Sequence, residues 1–222
     1  MRPLLTVMAI LTAIFASTFI IGRLAGVLTE ENVRATLAAA DAASLWWLAA
    51  IVVALLFVDL FIAVPTLTIT ILAGYFMGFP AGFAAALVGT GSAAAAGYAL
   101  ARRYGQGIIA RIVKDPAKRN EMAGAFQAHG PGMILLSRAA PMIPEVTACM
   151  AGATRMHTAR YALLFLASTV PYVGIASYAG SISTLDDPKP AIFAAIGLYA
   201  VLWIGWLWFR RRMKRHDALR AA

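Results

Sequence analysis

The chain has 222 residues, 61% hydrophobic and 13% charged, and its mean hydropathy of +0.77 weighs against a water-soluble domain. Its net charge of +9 would suggest nucleic acid in a soluble protein, but the basic residues sit between apolar segments rather than in a patch with interleaved aromatics, so no nucleic-acid partner is expected. The single cysteine, Cys149, leaves no internal disulfide, and His129, His157 and His216 lack metal-ligand spacing, so no metal and no other cofactor is expected.

In chain order, the opening MRPLLTVMAILTAIFASTFIIG begins like a signal peptide, yet its apolar run exceeds the usual h-region of roughly 7 to 15 residues. It reads as a retained span over residues 3–24. Thr29 followed by Glu30, Glu31 and Asn32 then predicts the start of a short surface helix. Residues 45–64 are long enough to cross a bilayer, and Trp46 and Trp47 suit an interface anchor. Asp59 interrupts them, and Pro65 ends them before TLTITILAGYFMGF, so 45–78 reads as a hairpin with its turn near Pro65.

A span rich in small residues follows at 80–101. Ala81, Ala85, Gly89, Ala93, Gly97 and Ala101 recur at every fourth position, which lets another helix approach closely. Residues 102–130 form the main polar loop, with Arg102, Arg103, Arg111, Lys114, Lys118 and Arg119. Within it Ile108, Ile109, Ile112 and Val113 share one helical face, as in a helix lying on a lipid surface or in a solvated amphipathic connector. Asp115-Pro116 should restart a helix as N-cap and first-turn residue.

The segment that organises the chain is HGPGMILLSRAAPMIPEVTACMAGATR, residues 129–155. It falls short of one spanning helix of about 20 apolar residues, and Pro141 and Pro144 break it. The expected shape for 131–152 is a second hairpin that turns at Pro-Met-Ile-Pro and leaves on the side it came from. Broken backbone is tolerable there only if protein or a wet cavity shields it. The two hairpins share a signature, Pro65-Thr-Leu-Thr68 then Ala73-Gly74 against Pro144-Glu-Val-Thr147 then Ala151-Gly152, short enough to be either a repeat or coincidence. Spans at 161–180 and 191–209 and a basic tail complete the chain.

Charge selects the topology. With both termini in the cytoplasm and both hairpins returning to their own side, the inside holds Arg2, the 102–119 cluster, Arg155, Arg160 and the tail. The outside holds Arg23, Arg34 and Lys189, as the positive-inside rule requires. The fold class read here is therefore an all-α polytopic membrane protein of the cell membrane, with about four transmembrane helices plus two re-entrant helical hairpins in inverted arrangement. It divides into residues 1–44 (first span and linker), 45–180 (core) and 181–222 (last span and tail).

Arg138-Ala-Ala-Pro141-Met-Ile-Pro144, the Ala-Gly at 151–152 and the earlier AGYFMGFPAGFAAALVGTGSAAAAGYALARRYG together resemble the DedA/VTT superfamily, also called SNARE-associated Golgi proteins. The similarity covers roughly residues 45–180. Bacterial DedA proteins tend to carry a second arginine where this chain has Pro144, a departure that weakens the transfer of their best-studied substrate, undecaprenyl phosphate. The resemblance implies facing re-entrant hairpins in a lipid scramblase or flippase, with function in the hairpin arginine and acidic residues, here Arg138, Asp59 and Glu145.

Ionisable groups at membrane depth cost about 2.5 to 3.5 kcal/mol each on insertion scales, so they ask for a reason. An arginine can hold a phosphate by two parallel hydrogen bonds while staying charged. Arg138 is therefore the candidate head-group ligand, unless it snorkels to the interface or pairs with Glu145. The candidate substrate-binding set is Arg138, Pro141, Pro144, Glu145, Asp59 and Pro65, with no catalytic residues. Cys149 and Arg155 fit the C-x5-R spacing of cysteine phosphatases, but Ala148 stands in place of the usual histidine and the surroundings are apolar. The expected activity is thus not enzymatic. The resemblance implies movement of an anionic phospholipid or polyprenyl phosphate instead, with protons as a potential co-substrate. The alternatives are a proton-coupled small-solute transporter and a non-transporting scaffold whose Gly/Ala faces serve assembly into oligomers.

Overall fold

The computed structural model describes residues 6–13, 17, 20, 34–35, 44–62, 64–140, 142–184 and 187–221, with side chains through Trp208. Most of the expected first span and the surface helix after Thr29 lie outside these residues. Among the described residues the chain is helical and contains no strand. Beyond a helical stretch at residues 6–13, the helices are α1 (Leu45–Val58), α2 (Thr66–Met77), α3 (Phe79–Ile112), α4 (Pro116–Leu135), α5 (Ile143–Ala153), α6 (Thr158–Ser181) and α7 (Lys189–Ala221).

Three of these are long and apolar enough to cross a membrane: α3, α6 and the Lys189–Trp208 part of α7. The helices α1, α2 and α5, with 14, 12 and 11 residues, rise only about 16 to 21 Å at 1.5 Å per residue, short of a hydrocarbon core of ~30 Å. Large apolar side chains point outward along the spans, as at Val88, Leu163 and Val201, while Arg138, Asp59, Thr90, Thr169 and Ser177 are buried. That inside-out distribution suits lipid as the surrounding solvent.

Two apolar cores share α3 and α6 as common pillars. One gathers Leu48, Val52 and Leu56 of α1 and Ile69 and Ala73 of α2 around Ala85, Ala86 and Val173. The other gathers Phe126 of α4 and Val146 and Met150 of α5 around Tyr98, Ile109 and Tyr161. Each broken segment thus has its own core. Ser44 caps α1 by accepting from the Trp47 N–H at 3.3 Å, and Trp46 beside it is 85% exposed, as an interface anchor should be. Gly78 joins α2 to α3 at φ +76°, a backbone conformation that suits glycine.

Two boundaries differ from the sequence reading. Residues 102–112 are not part of a loop but continue α3 without a break. Packing extends the helix past its apolar stretch: Gly105 lies against Ala153 and Ile109 is buried. The helix stops at Val113, just before Asp115 and Pro116, where Asp115 caps α4 by accepting from the Ala117 N–H at 2.9 Å. The second correction concerns Pro131, which sits inside α4 rather than opening a separate arm. The first arm of the second broken segment is therefore the end of α4, followed by a 3-10 turn at Ser137–Ala139 and then α5.

Candidate functional site

The two breaks in the helical course carry the charged residues. The first, between α1 and α2, runs from Asp59 to Pro65, and the second, between α4 and α5, from Leu136 to Met142. Asp59 stands six residues before Pro65, and Arg138 six before Pro144, so the two broken segments carry opposite charges at equivalent places. Their Ala-Gly pairs also do equivalent work. A Cβ on Gly74 would strike the backbone of Ser177 in α6, and one on Gly152 would strike the backbone of Tyr98 and Arg102 in α3. This shared role favours the repeat over coincidence.

Asp59 is 6% exposed and closes its own turn. Its carboxylate accepts the Val64 N–H at 2.9 Å and the Thr66 hydroxyl at 2.7 Å, which ties the break to the first turn of α2. Removing it would leave buried donors unpaired, at about 1 to 3 kcal/mol. Asp59→Ala should therefore lower thermal stability in detergent clearly more than Asp59→Asn, which keeps an acceptor oxygen. Equal stability of the two variants would take Asp59 out of this structural role.

Arg138 is 7% exposed, in the 3-10 turn before α5. Its Nη2 donates to the Thr169 hydroxyl at 3.2 Å, and its guanidinium lies over the rings of Tyr172 (5.4 Å) and Phe165 (5.9 Å). Neither Asp59 nor Glu145 forms an ion pair with it among the described residues, although both are within its electrostatic reach. It lines a cavity of about 20 Å³ with Ala93 and Ala94 of α3, large enough for one water molecule. Those alanines are nine residues before Arg102 and Arg103, roughly 13 Å of helix rise. So little exposure is not that of a side chain reaching out to solvent, and the Arg138–Glu145 ion pair is not formed among the described residues.

Asp59, Pro65, Arg138, Pro144 and Glu145 all line one larger cavity of about 280 Å³, between the two breaks. Pro141 lies outside the described residues. Glu145 sits in the first turn of α5, where a carboxylate complements the helix dipole. Met142, at φ 70°, holds the backbone in the left-handed region at the cavity wall, a strained conformation of the kind that gathers at functional sites. The volume is close to the lower end for small-molecule sites, about 300 Å³. It is of a size for a small polar group rather than a long-chain molecule.

Sequence reasoning missed Phe165, Tyr172, Thr66 and Tyr199 as parts of these walls, and Thr169 as the partner of Arg138. A signal existed for part of the set, since Ser168, Thr169, Pro171 and Tyr172 interrupt an otherwise apolar span. The phosphatase-like spacing, by contrast, has no matching geometry. Cys149 lies within α5, whose amides are committed to the helix, and it faces an apolar cavity.

Spans with apolar exteriors around a buried, charged cavity define a polytopic helical membrane protein with a polar interior. A family model of the VTT domain matches residues 64–182, more than half of the chain, and the protein belongs to that family, the DedA/SNARE-associated Golgi protein family. Family membership suggests a transport-related membrane function rather than an enzymatic one. The match leaves Asp59 and Tyr199 outside its limits. No curated protein and no solved structure matches the chain.

Proposed function

We propose that this protein is a lipid transporter, a scramblase or flippase, that passes an anionic head group through the cavity between its two broken helical segments. The observation that carries this reading is the position of Arg138. It is 7% exposed, held by Thr169 and two rings, free of any ion pair among the described residues, and open to a cavity near the lower end of small-molecule size. One of its five donors is used by Thr169, and the fork geometry suits phosphate. The lipid would be an anionic phospholipid or a polyprenyl phosphate, in the cell membrane.

In this reading 45–78 and the 131–152 segment are re-entrant and face each other from opposite sides, with both termini cytoplasmic. Short α1, α2 and α5, broken at Asp59–Pro65 and before Met142, support it. Cysteines introduced at Ser44 and Pro80, with Cys149 replaced by alanine, should both react with an impermeant thiol reagent from the same face of intact cells. Labelling from opposite faces would make the first segment a full crossing.

Proton coupling is a second reading, favoured by Glu145 on the cavity wall with no side-chain partner from another residue among those described. The scaffold reading loses support because the Gly/Ala stripe of α3 is used within the chain, Gly89 against Val53 and Leu56 and Gly97 against Leu60. Reconstitution into liposomes with labelled lipids, with and without a pH gradient, tests the proposal. Translocation of anionic lipid above protein-free vesicles is expected. Its absence for every phosphate-bearing lipid tried would remove the transporter reading, and acceleration by the gradient would add protons.

A further inference from the structure

A separate groove opens between α3 and α6, away from the central cavity. Its volume is about 560 Å³. Gly91, Ala94 and Ala95 of α3 form a smooth floor, Leu166 of α6 stands at its side, and Arg102 and Arg103 close one end. None of the residues lining it is acidic. From Gly91 to Arg103 the helix rises about 18 Å at 1.5 Å per residue, close to the half-thickness of a ~30 Å hydrocarbon core. The groove therefore has the length of one leaflet, with cations at one end and an apolar trough toward the bilayer centre.

The cationic end is built rather than loosely solvated. Arg102 Nη1 donates to the Tyr98 hydroxyl at 2.6 Å and to the Met156 carbonyl at 3.1 Å. Tyr98 in turn stacks on Tyr161 with ring centroids 4.9 Å apart. Arg103 lies over the Tyr104 ring at 5.6 Å. Both arginines are exposed as residues, so a phosphate can meet the two of them where Tyr98, the Met156 carbonyl and Tyr104 hold them.

We propose that this groove is a binding site for one anionic phospholipid of the surrounding leaflet, with its phosphate on Arg102 and Arg103 and an acyl chain along Gly91, Ala94 and Ala95. Charge selects the occupant, because two arginines without a neighbouring carboxylate discriminate against a lipid that carries its own cation. The site shares only Ala94 and Phe165 with the Arg138 cavity and contains none of its charged groups. It stands whether or not the protein moves lipid.

The test is native mass spectrometry of the purified full chain in detergent, titrated with phosphatidylglycerol or phosphatidylcholine of matched acyl chains. Wild type should bind phosphatidylglycerol more tightly. Arg103→Gln should weaken that binding about fivefold, the worth of one basic residue near an anionic lipid surface, and leave phosphatidylcholine unchanged. Ala95→Trp, which fills the trough from an exposed position, should weaken both lipids. The preference for phosphatidylglycerol should persist in Arg138→Ala, which removes the head-group ligand of the central cavity, and Arg103→Gln should weaken binding in that background by the same factor. Equal retention of the two lipids by wild type would overturn the site, and so would wild-type binding in either groove variant. Loss of binding in Arg138→Ala with none in Arg103→Gln would place the lipid in the central cavity instead.

Discussion

Arg138→Lys should lower lipid translocation in reconstituted vesicles about tenfold and Arg138→Ala about 100-fold, since hydrogen bonds to charged groups contribute roughly 1.5 to 3 kcal/mol and each 1.36 kcal/mol is a factor of ten in rate. Lysine keeps the charge but loses the planar fork, and with it the Thr169 bond and the fit over Phe165 and Tyr172. Alanine removes the charge as well. Both variants should insert and purify, because the guanidinium is not a partner in any ion pair among the described residues and its removal strands no buried carboxylate salt bridge. The comparison must be made at matched protein density, with detergent melting temperatures measured alongside. Full activity of the lysine variant would take the fork geometry out of the mechanism. Full activity of the alanine variant would take Arg138 out altogether and leave the cavity without its anion ligand.

What the sequence made legible were the places where chemistry stands out against an apolar background. Asp59 and Arg138 each interrupt a run of aliphatic residues, and Pro65 and Pro144 follow them at the same distance, so both helix breaks could be placed from local rules alone. The same contrast picked out Glu145, and the structure brings these five residues to one cavity. The extent of α3 was not legible, because Arg102, Arg103 and Gly105 look like the end of a span. Only the packing of Gly105 on Ala153, and the bond from Arg102 to the Met156 carbonyl, carry the helix on to Ile112. Thr169, Phe165, Tyr172 and Tyr199 were hidden for a related reason. A hydroxyl or a ring in a span is ordinary, and which way it faces depends on how α6 and α7 sit against the breaks. Whether the breaks amount to re-entrant hairpins depends on where the membrane lies, which the topology labelling addresses.

The stability of this arrangement should depend most on the three glycines with the closest backbone contacts, and only weakly on Gly97 of the every-fourth pattern in α3. A methyl on Gly74 would fall on the Ser177 carbonyl oxygen, one on Gly180 on the Ile71 carbonyl oxygen, and one on Gly152 on the Tyr98 carbonyl oxygen. Backbone cannot rotate away, so each helix pair would have to separate. Overpacking of this kind costs about 1 to 3 kcal/mol or more. Gly74→Ala, Gly152→Ala and Gly180→Ala should each cause a large fall in detergent melting temperature. By contrast, a methyl on Gly97 meets the Leu60 Cδ1 at 2.7 Å, the far end of a side chain that can change rotamer. Gly97→Ala should therefore melt close to wild type, whereas the bulkier Gly97→Leu should not. Gly74 and Gly180 belong to the same α2–α6 contact, so their double alanine variant should lose less than the two single losses added together. Separation of α2 from α6 would also shift Pro65 and Thr66 at the cavity wall, so Gly74→Ala should slow translocation while Gly97→Ala leaves it unchanged. Wild-type melting of Gly74→Ala and Gly180→Ala would mean that α2 and α6 do not approach this closely, and the cavity between the two breaks would then lose the contact that positions its first wall.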